Sequence, residues 1–403
     1  MVKHHFLIND GSVLDKRTRQ QMEYVRILSK MNKAMTIPEI AEAVQTSIPT
    51  VTAIITDLLE NNWIVVEGKR ETGRGRNPAI YSVNTEQFYA IGLIIGLKKA
   101  QMVIISIKQS EVYKKSISDF NLENTKVCLN QIVDFISACI KEFEVSISKI
   151  LGLGIGITGR VNVHTGETFN YFNFMDVPFK QYLETRLKMP VYVENDTRIT
   201  GFTECEFGKG KGSNNLILIN LDRGLGLSMV VNGKLLLGNS GFAGEFGHMK
   251  FGTKERLCIC GKKGCLGTEV SGYALQLDFE EALSKGCQSL LVTEDQAEEI
   301  SFFDILEGAN NGDLTSIDLI QAQGLKLGEA LGSILNLLNP KDVIIGGSFV
   351  VVNDLLLDSV KMGLKKTCLP MVIKECRIML SELSANVYCR GAASLIFKSH
   401  DFI

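Results

Sequence analysis

The sequence has few cysteines, few prolines and no long apolar run. Ten cysteines in 403 residues are too few for a disulfide-rich secreted scaffold, and seven of them stand singly, a usage typical of a reducing compartment. Seven prolines, with 45% hydrophobic and 22% charged residues, exclude a collagen-like or disordered chain. No signal-peptide pattern and no membrane-spanning run is present. We therefore expect a soluble cytoplasmic protein with no membrane partner.

An excess of positive charge is also lacking. Lysine and arginine number 43 against 45 acidic residues, a net charge of −2, so no whole-molecule field attracts nucleic acid. The residues up to Val83 nevertheless carry 11 basic and 9 acidic side chains, and the remainder carries a net charge of −4. At about 150 residues per domain, the length predicts two or three compact bodies. Any contact with DNA must then depend on a local cluster of cations.

Residues 1–85 show the apolar spacing of helices, which we predict from about Lys16 to Met31, after Thr36 and after Ser47. Thr36 with Glu39 three residues later predicts a capping box. The third helix carries small or hydroxylated residues on the face that its apolar stripe leaves free. These are candidate DNA-binding residues: Ser47, Pro49, Thr50, Thr52, Ala53 and Thr56.

Two strand-like runs, residues 63–67 and 79–83, flank a basic, glycine-rich segment and predict a β-hairpin. Its cations are clustered, as neutralisation of phosphates requires, and complete the candidate DNA-binding set: Lys69, Arg70, Arg74 and Arg76. This order of elements predicts a winged helix-turn-helix. The alternative is a plain three-helix bundle with a solvated charged loop.

The remaining residues are rich in glycine and β-branched runs and predict an α/β body of two lobes. We assign residues 86–205 to a first lobe and 206–390 to a second. Residues 391–403 are predicted to form a C-terminal helix that packs back on the first lobe. Glu194, Asn195 and Asp196 follow a predicted strand, where α/β sheets present ligand-binding groups.

Three cysteines within eight residues give the most specific local signal. Cys258, Cys260 and Cys265 enclose two glycines that permit a tight loop, and His248 lies ten residues upstream. Three thiolates and one imidazole form a closed tetrahedral shell, the pattern of structural zinc. We therefore predict one structural Zn²⁺ per chain, the alternative being three buried cysteines with no metal.

Several of these motifs together resemble the ROK family, which includes sugar kinases and sugar-responsive repressors. They are residues 244–248 (GEFGH), the cysteine cluster, residues 194–196 (END), and Asn339-Pro340 through Gly346-Gly347. The hairpin that ends at residues 72–78 (TGRGRNP) resembles the repressor branch, the xylose and N-acetylglucosamine repressors. The resemblance implies an actin-like, RNase H-like two-lobed fold, a zinc site, and a homodimer or homotetramer.

In the kinases of that family, an aspartate and a Gly-Gly-Thr loop after the first strand hold magnesium and ATP. Here the matching positions are Ile94, Leu97 and Lys98, which offer no hard oxygen ligand and a bulkier loop. The second phosphate loop is altered to residues 222–226 (DRGLG), whose acid would repel phosphate. We therefore expect no enzyme activity, with an ATP-dependent sugar kinase as the alternative.

The same resemblance implies a sugar pocket made of Asn195, Asp196, Glu245 and His248. The alternative for Glu245 is a structural turn residue. Relatives carry a glutamate two residues after the last zinc cysteine, but Gly267 stands there, and whether Glu269 replaces it is open. We predict a sugar-responsive repressor of carbohydrate genes that a sugar or sugar phosphate releases from operator DNA. A phosphotransfer protein as its partner remains an open alternative.

Overall fold

The computed structural model describes residues 16–31, 33–71, 77–292, 300–400 and 402. The N-terminal head has three helices followed by a two-stranded antiparallel hairpin: α1 (Lys16–Met31), α2 (Ile37–Ala43), α3 (Ile48–Glu60), β1 (Ile64–Lys69) and β2 (Ala79–Val83). The predicted capping box is confirmed, because the Thr36 hydroxyl accepts from the Glu39 N–H while the Glu39 carboxylate accepts from the Thr36 N–H. This is the predicted winged helix-turn-helix.

The body begins with a five-stranded sheet whose strands run in the order β5-β4-β3-β6-β9. Strands β3, β6 and β9 are parallel, whereas β3, β4 and β5 form an antiparallel meander. The elements of this part are β3 (Tyr89–Ile95), β4 (Ala100–Ser106), β5 (Glu111–Ile117), α4 (Lys126–Glu142), β6 (Ile150–Ile157), β7 (Val161–Asn162), β8 (Glu167–Thr168), α5 (Phe179–Leu187) and β9 (Val191–Asn195).

A second five-stranded sheet follows, in the order β12-β11-β10-β13-β14, with β10, β13 and β14 parallel. Its elements, in chain order, are α6 (Asp196–Phe207), β10 (Leu216–Leu221), β11 (Leu225–Val231), β12 (Lys234–Leu235), α7 (Gly272–Ser284), α8 (Phe302–Asn310), α9 (Leu314–Leu338), β13 (Asp342–Gly346), α10 (Asn353–Thr367), α11 (Pro370–Glu375) and β14 (Arg377–Leu380). The two sheets, each with its own helices, form the predicted two-lobed actin-like body.

The last helix, α12 (Ala385–Ser399), lies against the first sheet. A Cβ atom added to Gly92 would lie 1.9 Å from the Cys389 carbonyl oxygen, and one added to Gly154 would lie 2.0 Å from that of Ala392. The helix backbone can therefore approach strands β3 and β6 only because both positions are glycine.

The chain forms two compact units, one made of residues up to Asp196 together with those from Asn386, and the other of Thr197–Ala385. The first unit thus contains the head, the first sheet and α12. The chain passes from the first unit to the second at the start of α6 and returns to the first unit at the start of α12. The domain bounds assigned above stay a prediction. Among the described residues, no helix is both long enough and apolar enough to span a membrane.

Candidate functional site

The four predicted metal ligands lie together in the second unit. Their donor atoms are all within 4.8 Å of one another, with Nδ1 of His248 3.4 Å from Sγ of Cys258 and the Sγ atoms of Cys260 and Cys265 3.6 Å apart. Ligand atoms of a tetrahedral ion with such donors lie about 3.5–3.8 Å apart, given metal–sulfur distances near 2.3 Å. The arrangement therefore fits one metal ion held by all four side chains.

A tight loop shapes this cluster. The Cys258 N–H donates to the Lys262 carbonyl at 2.8 Å, and the Gly261 N–H donates to the Cys258 carbonyl at 2.8 Å. Gly261 and Gly264 have φ values of +83° and +77°, in the region that favours glycine. The loop can therefore turn its thiols to one side, as the cysteine spacing predicted.

Glu245 and His248 lie side by side at the start of the same region. Oε2 of Glu245 is 3.7 Å from Nε2 of His248, and both side chains are about one third exposed. Residues 244–248 pack against the backbone of strand β11. A Cβ atom at Gly244 would lie 2.4 Å from the Leu227 carbonyl oxygen, and one at Gly247 would lie 2.5 Å from the Leu225 carbonyl oxygen. The two glycines of the GEFGH run thus allow a close backbone approach that holds Glu245 and His248 in place.

Glu269 has a role that the sequence did not reveal. Its side chain is buried, Oε1 accepts from the Lys254 N–H at 2.5 Å, and Oε2 pairs with Lys326 on α9. These contacts tie the segment between His248 and the first cysteine to a helix of the second lobe. Both carboxylate oxygens of Glu269 therefore have protein partners, although Glu269 is the candidate replacement for the glutamate that relatives carry at the position of Gly267.

Asn195 and Asp196 belong to the first unit, at the end of β9 and the start of α6. The Asn195 amide donates to the Gly159 carbonyl at 2.9 Å and to Oδ1 of Asp196 at 3.1 Å. The structure therefore brings this predicted pair of sugar-binding residues together within one unit. Glu245 and His248 form the corresponding pair in the other unit.

Internal contacts hold the two loops that the sequence analysis compares with kinase phosphate loops. The Lys98 ammonium donates to the Asn121 amide oxygen at 2.8 Å, and Leu97 packs against the first-lobe core. Asp222 accepts from the Arg223 N–H at 2.7 Å and from the Ser348 hydroxyl at 3.0 Å. The Arg223 N–H and the Ser348 hydroxyl thus both have an acceptor within the chain.

In the head, the predicted face of α3 is exposed. All six candidates, Ser47, Pro49, Thr50, Thr52, Ala53 and Thr56, are exposed, whereas Val51, Ile54, Ile55 and Leu58 are buried on the opposite side. The Thr52 hydroxyl donates to the Ile48 carbonyl at 2.8 Å and the Ser47 and Thr50 hydroxyls are 2.9 Å apart. The surface is therefore compact and polar, with its hydroxyl groups already ordered on the helix.

The candidate DNA-binding cations of the hairpin β1–β2, which we call the wing, differ in environment. Lys69 is exposed, whereas Arg70 donates to Oε1 of Glu39 at 2.5 Å and to the Ala34 carbonyl at 3.0 Å. The Thr36 backbone N–H and then the Arg70 guanidinium lower the pKa of Glu39 to about 2. Arg70 therefore ties the end of strand β1 to α2 through the Glu39 carboxylate. Arg74 and Arg76 lie outside the described residues.

Comparison with known proteins agrees with this architecture. A model described as the ROK family matches residues 90–399, and one described as the MarR family matches residues 18–72. A xylose repressor of Bacillus spizizenii is 24% identical, covering 95% of this chain and 96% of its own. A glucokinase of Halalkalibacterium halodurans is 28% identical but covers 76% of this chain and 94% of its own.

The fold is also found among solved structures. A crystal structure of a ROK family transcriptional regulator, a homolog of the E. coli MLC protein, superposes with a TM-score of 0.79 at 24% identity and covers 95% of this chain and 97% of its own. This likeness shows the fold, including the position of the head in the chain. Since the ROK model matches most of the chain and the MarR model matches the described head, the protein belongs to the ROK family and carries a MarR-type helix-turn-helix at its N-terminus.

Proposed function

We propose that the protein is a sugar-responsive, DNA-binding repressor of genes for carbohydrate uptake or catabolism, acting in the cytoplasm. The observation that carries the proposal is the intact head with its exposed α3 face, in a chain that matches a xylose repressor over 95% of its length. The glucokinase relative leaves about a quarter of the chain unmatched. A regulator needs a DNA-binding head in addition to the ROK body, whereas a sugar kinase has no use for one.

The effector that we propose is a sugar or a sugar phosphate, bound by Asn195, Asp196, Glu245 and His248. Carboxylate and amide oxygens accept hydrogen bonds from sugar hydroxyls. Glu245 is partly exposed, so its oxygens remain accessible to a ligand. Xylose, glucose, N-acetylglucosamine and their phosphates are the compounds to examine first.

We further propose that the metal is a structural Zn²⁺ bound by His248, Cys258, Cys260 and Cys265. Three thiolates and one imidazole complete a tetrahedral shell and leave no position for an activated water. The ion would hold the loop closed and fix the orientation of the His248 ring. The protein itself places Glu245 beside that ring.

Phosphoryl transfer is not part of the proposal. Against it stand Ile94, at the position where the resemblance implies a magnesium-binding carboxylate, and the Asp222 carboxylate, which accepts from the Arg223 N–H and the Ser348 hydroxyl. For DNA binding we propose a homodimer or homotetramer, since two heads at a fixed spacing can match an operator with two half-sites. Effector binding would change that spacing and release the DNA.

A thermal-shift screen of the full chain with the sugars named above tests the effector. Binding to the folded state stabilises the protein and so raises its apparent melting temperature. At a ligand concentration of a hundred times Kd, the added stability is about 2.7 kcal/mol. We expect a rise with at least one sugar and a smaller rise in the Asp196→Asn variant. The absence of any shift across the panel would contradict a sugar effector.

A further inference from the structure

Four aromatic rings from three parts of the chain meet where the head adjoins the first sheet. Trp63, which follows α3, lies 6.0 Å from Phe88 in an edge-to-face arrangement, and Phe88 lies 6.0 Å from Phe402. Phe402 in turn lies 6.4 Å from Phe397 on α12. All four are buried, and Phe397 and Phe402 are fully so. We call these four residues the aromatic seam.

The seam belongs to a core that the head and body share. The same apolar cluster contains Val25 and Leu28 of α1, Leu58 of α3, and Val103 and Ile105 of β4. Contacts between domains of one chain are usually more polar than a core and permit relative motion. A continuous buried cluster of this kind instead indicates that the head is fixed to the first sheet.

Polar contacts run beside the seam through the turn between β4 and β5. The Lys108 ammonium lies 3.7 Å from the Glu67 carboxylate of the hairpin, and Glu67 also accepts from the Ser82 hydroxyl. On the other side of the turn, Gln109 accepts from Arg390 at 3.2 Å and from the Ser394 hydroxyl, both on α12. The turn therefore links the wing to α12 directly.

The other end of α12 lies where the chain returns from the second unit. The Gln101 amide donates to the Asn386 side chain at 2.9 Å, and the Cys389 thiol donates to the Gln101 carbonyl at 3.2 Å. With 15 residues, α12 spans about 22 Å. One rigid helix thus runs from the point of return to the core of the head.

We propose that α12 sets the orientation of the DNA-binding head through the aromatic seam, so that the head moves with α12 as one body. A displacement of the helix where the chain enters it would then be transmitted to α3. The proposal concerns the coupling of head and body and stands whichever compound acts as the effector. If α12 does not set the orientation of the head, the proposed binding of DNA and of a sugar still stands.

Hydrogen–deuterium exchange of the full chain tests this coupling. Phe402→Ala removes one ring of the seam, and Phe179→Ala is the matched control, because Phe179 is equally buried in the same unit but lies in the core on the other side of the sheet. We expect Phe402→Ala to speed exchange of the α2 and α3 amides by about tenfold or more, and Phe402→Leu to do so less. Phe179→Ala should speed exchange around α5 and β9 without singling out the head.

Trp63 provides a second readout because it is the only tryptophan in the chain. Its emission should shift to longer wavelength in Phe402→Ala and stay unchanged in Phe179→Ala. Should Phe402→Ala fail to fold, Gln109→Asn serves instead, because the shorter side chain loses the hydrogen bond from the Ser394 hydroxyl, and asparagine tolerates the φ of +64° at this position. Head exchange that stays at the wild-type rate in Phe402→Ala, or in Gln109→Asn where that variant takes its place, would overturn the proposal, as would an equal rise in Phe179→Ala.

Discussion

Nε2 of His248 lies 3.7 Å from Oε2 of Glu245, while Nδ1 of the same ring faces the thiol of Cys258. One imidazole therefore stands between the cysteine cluster and a partly exposed carboxylate. When a metal binds one ring nitrogen, the other carries the proton and is oriented by a neighbouring carboxylate or carbonyl. The proposed metal ligands and the proposed sugar-binding residues thus share a single side chain, that of His248.

This link separates the effects of two substitutions. Glu245→Gln should keep about one zinc per chain while weakening sugar binding by about tenfold or more, because a charged hydrogen bond contributes about 1.5–3 kcal/mol. His248→Ala should lower both zinc content and sugar binding. Elemental analysis and thermal-shift titration measure the two quantities. Sugar binding of normal strength in Glu245→Gln would show that Glu245 is only a turn residue.

Loss of a thiolate should abolish zinc binding. In Cys260→Ser the zinc content should fall towards zero, and the melting temperature should fall because metal binding is coupled to the folded loop. Cys287→Ser is the matched control, since Cys287 is exposed and lies outside the cluster. A Cys260→Ser variant that loses zinc but keeps its sugar response would make the ion purely structural, without influence on the pocket.

Arg70 and Lys69, adjacent in sequence, should differ in effect. Arg70→Ala should destabilise the head by about 1 kcal/mol, because it removes the partner of Glu39. Lys69→Ala should leave stability unchanged and lower the salt dependence of DNA binding by about one phosphate contact. Urea unfolding and DNA titrations at several salt concentrations distinguish the two, and equal effects on DNA binding would contradict this assignment.

The pH dependence of stability has an identifiable source in His400. Burial, and then the nearby Arg26 cation, lower the pKa of this histidine to about 4, whereas it is about 6.5 in the unfolded chain. The unfolded chain therefore binds more protons between these values, and stability should fall as the pH decreases from about 6.5 to about 4. With about 1.4 kcal/mol for each pKa unit, we expect His400 to account for a fall of about 3 kcal/mol.

His400→Gln should flatten that part of the curve of unfolding free energy against pH. His164→Gln is the control, since His164 is exposed. Denaturant unfolding at a series of pH values measures both. An unchanged slope in His400→Gln would show that the histidine is not the source.

Local signals in the sequence predicted those elements that depend on neighbouring residues. The Thr36–Glu39 capping box is an example. The cysteine spacing likewise predicted a cluster that the structure brings together. These features are set within a few residues of chain, so no knowledge of the fold was needed.

Helix α6 was not predicted, for a physical reason. It is buried over most of its surface, from Thr197 to Glu204, so it has no alternation of apolar and polar faces. The partners of Arg70 and Glu269 were missed as well, because Glu39 and Lys326 are 31 and 57 residues away. Many lysines and acids could form such pairs, and only the fold selects among them.

ATP and magnesium with each sugar of the panel should give no ADP above background. We base this expectation on the family resemblance, which implies a magnesium-binding carboxylate where Ile94 stands, and on the hydrogen bond from Ser348 to Asp222. A coupled assay that detects ADP measures this directly. Steady turnover with any of the sugars would make the protein a kinase.

The central claim is that a sugar releases this protein from a specific DNA sequence. The direct measurement is a fluorescence-anisotropy titration of a DNA duplex that the full chain selects from a random pool, with and without the sugar that raises its melting temperature. We predict that this sugar weakens DNA binding by about tenfold or more, with reciprocal weakening of sugar binding by DNA. Thr50→Ala with Thr52→Ala should change which duplexes are selected. Tight sugar binding that leaves the DNA affinity unchanged, or selection of no preferred sequence, would contradict the account.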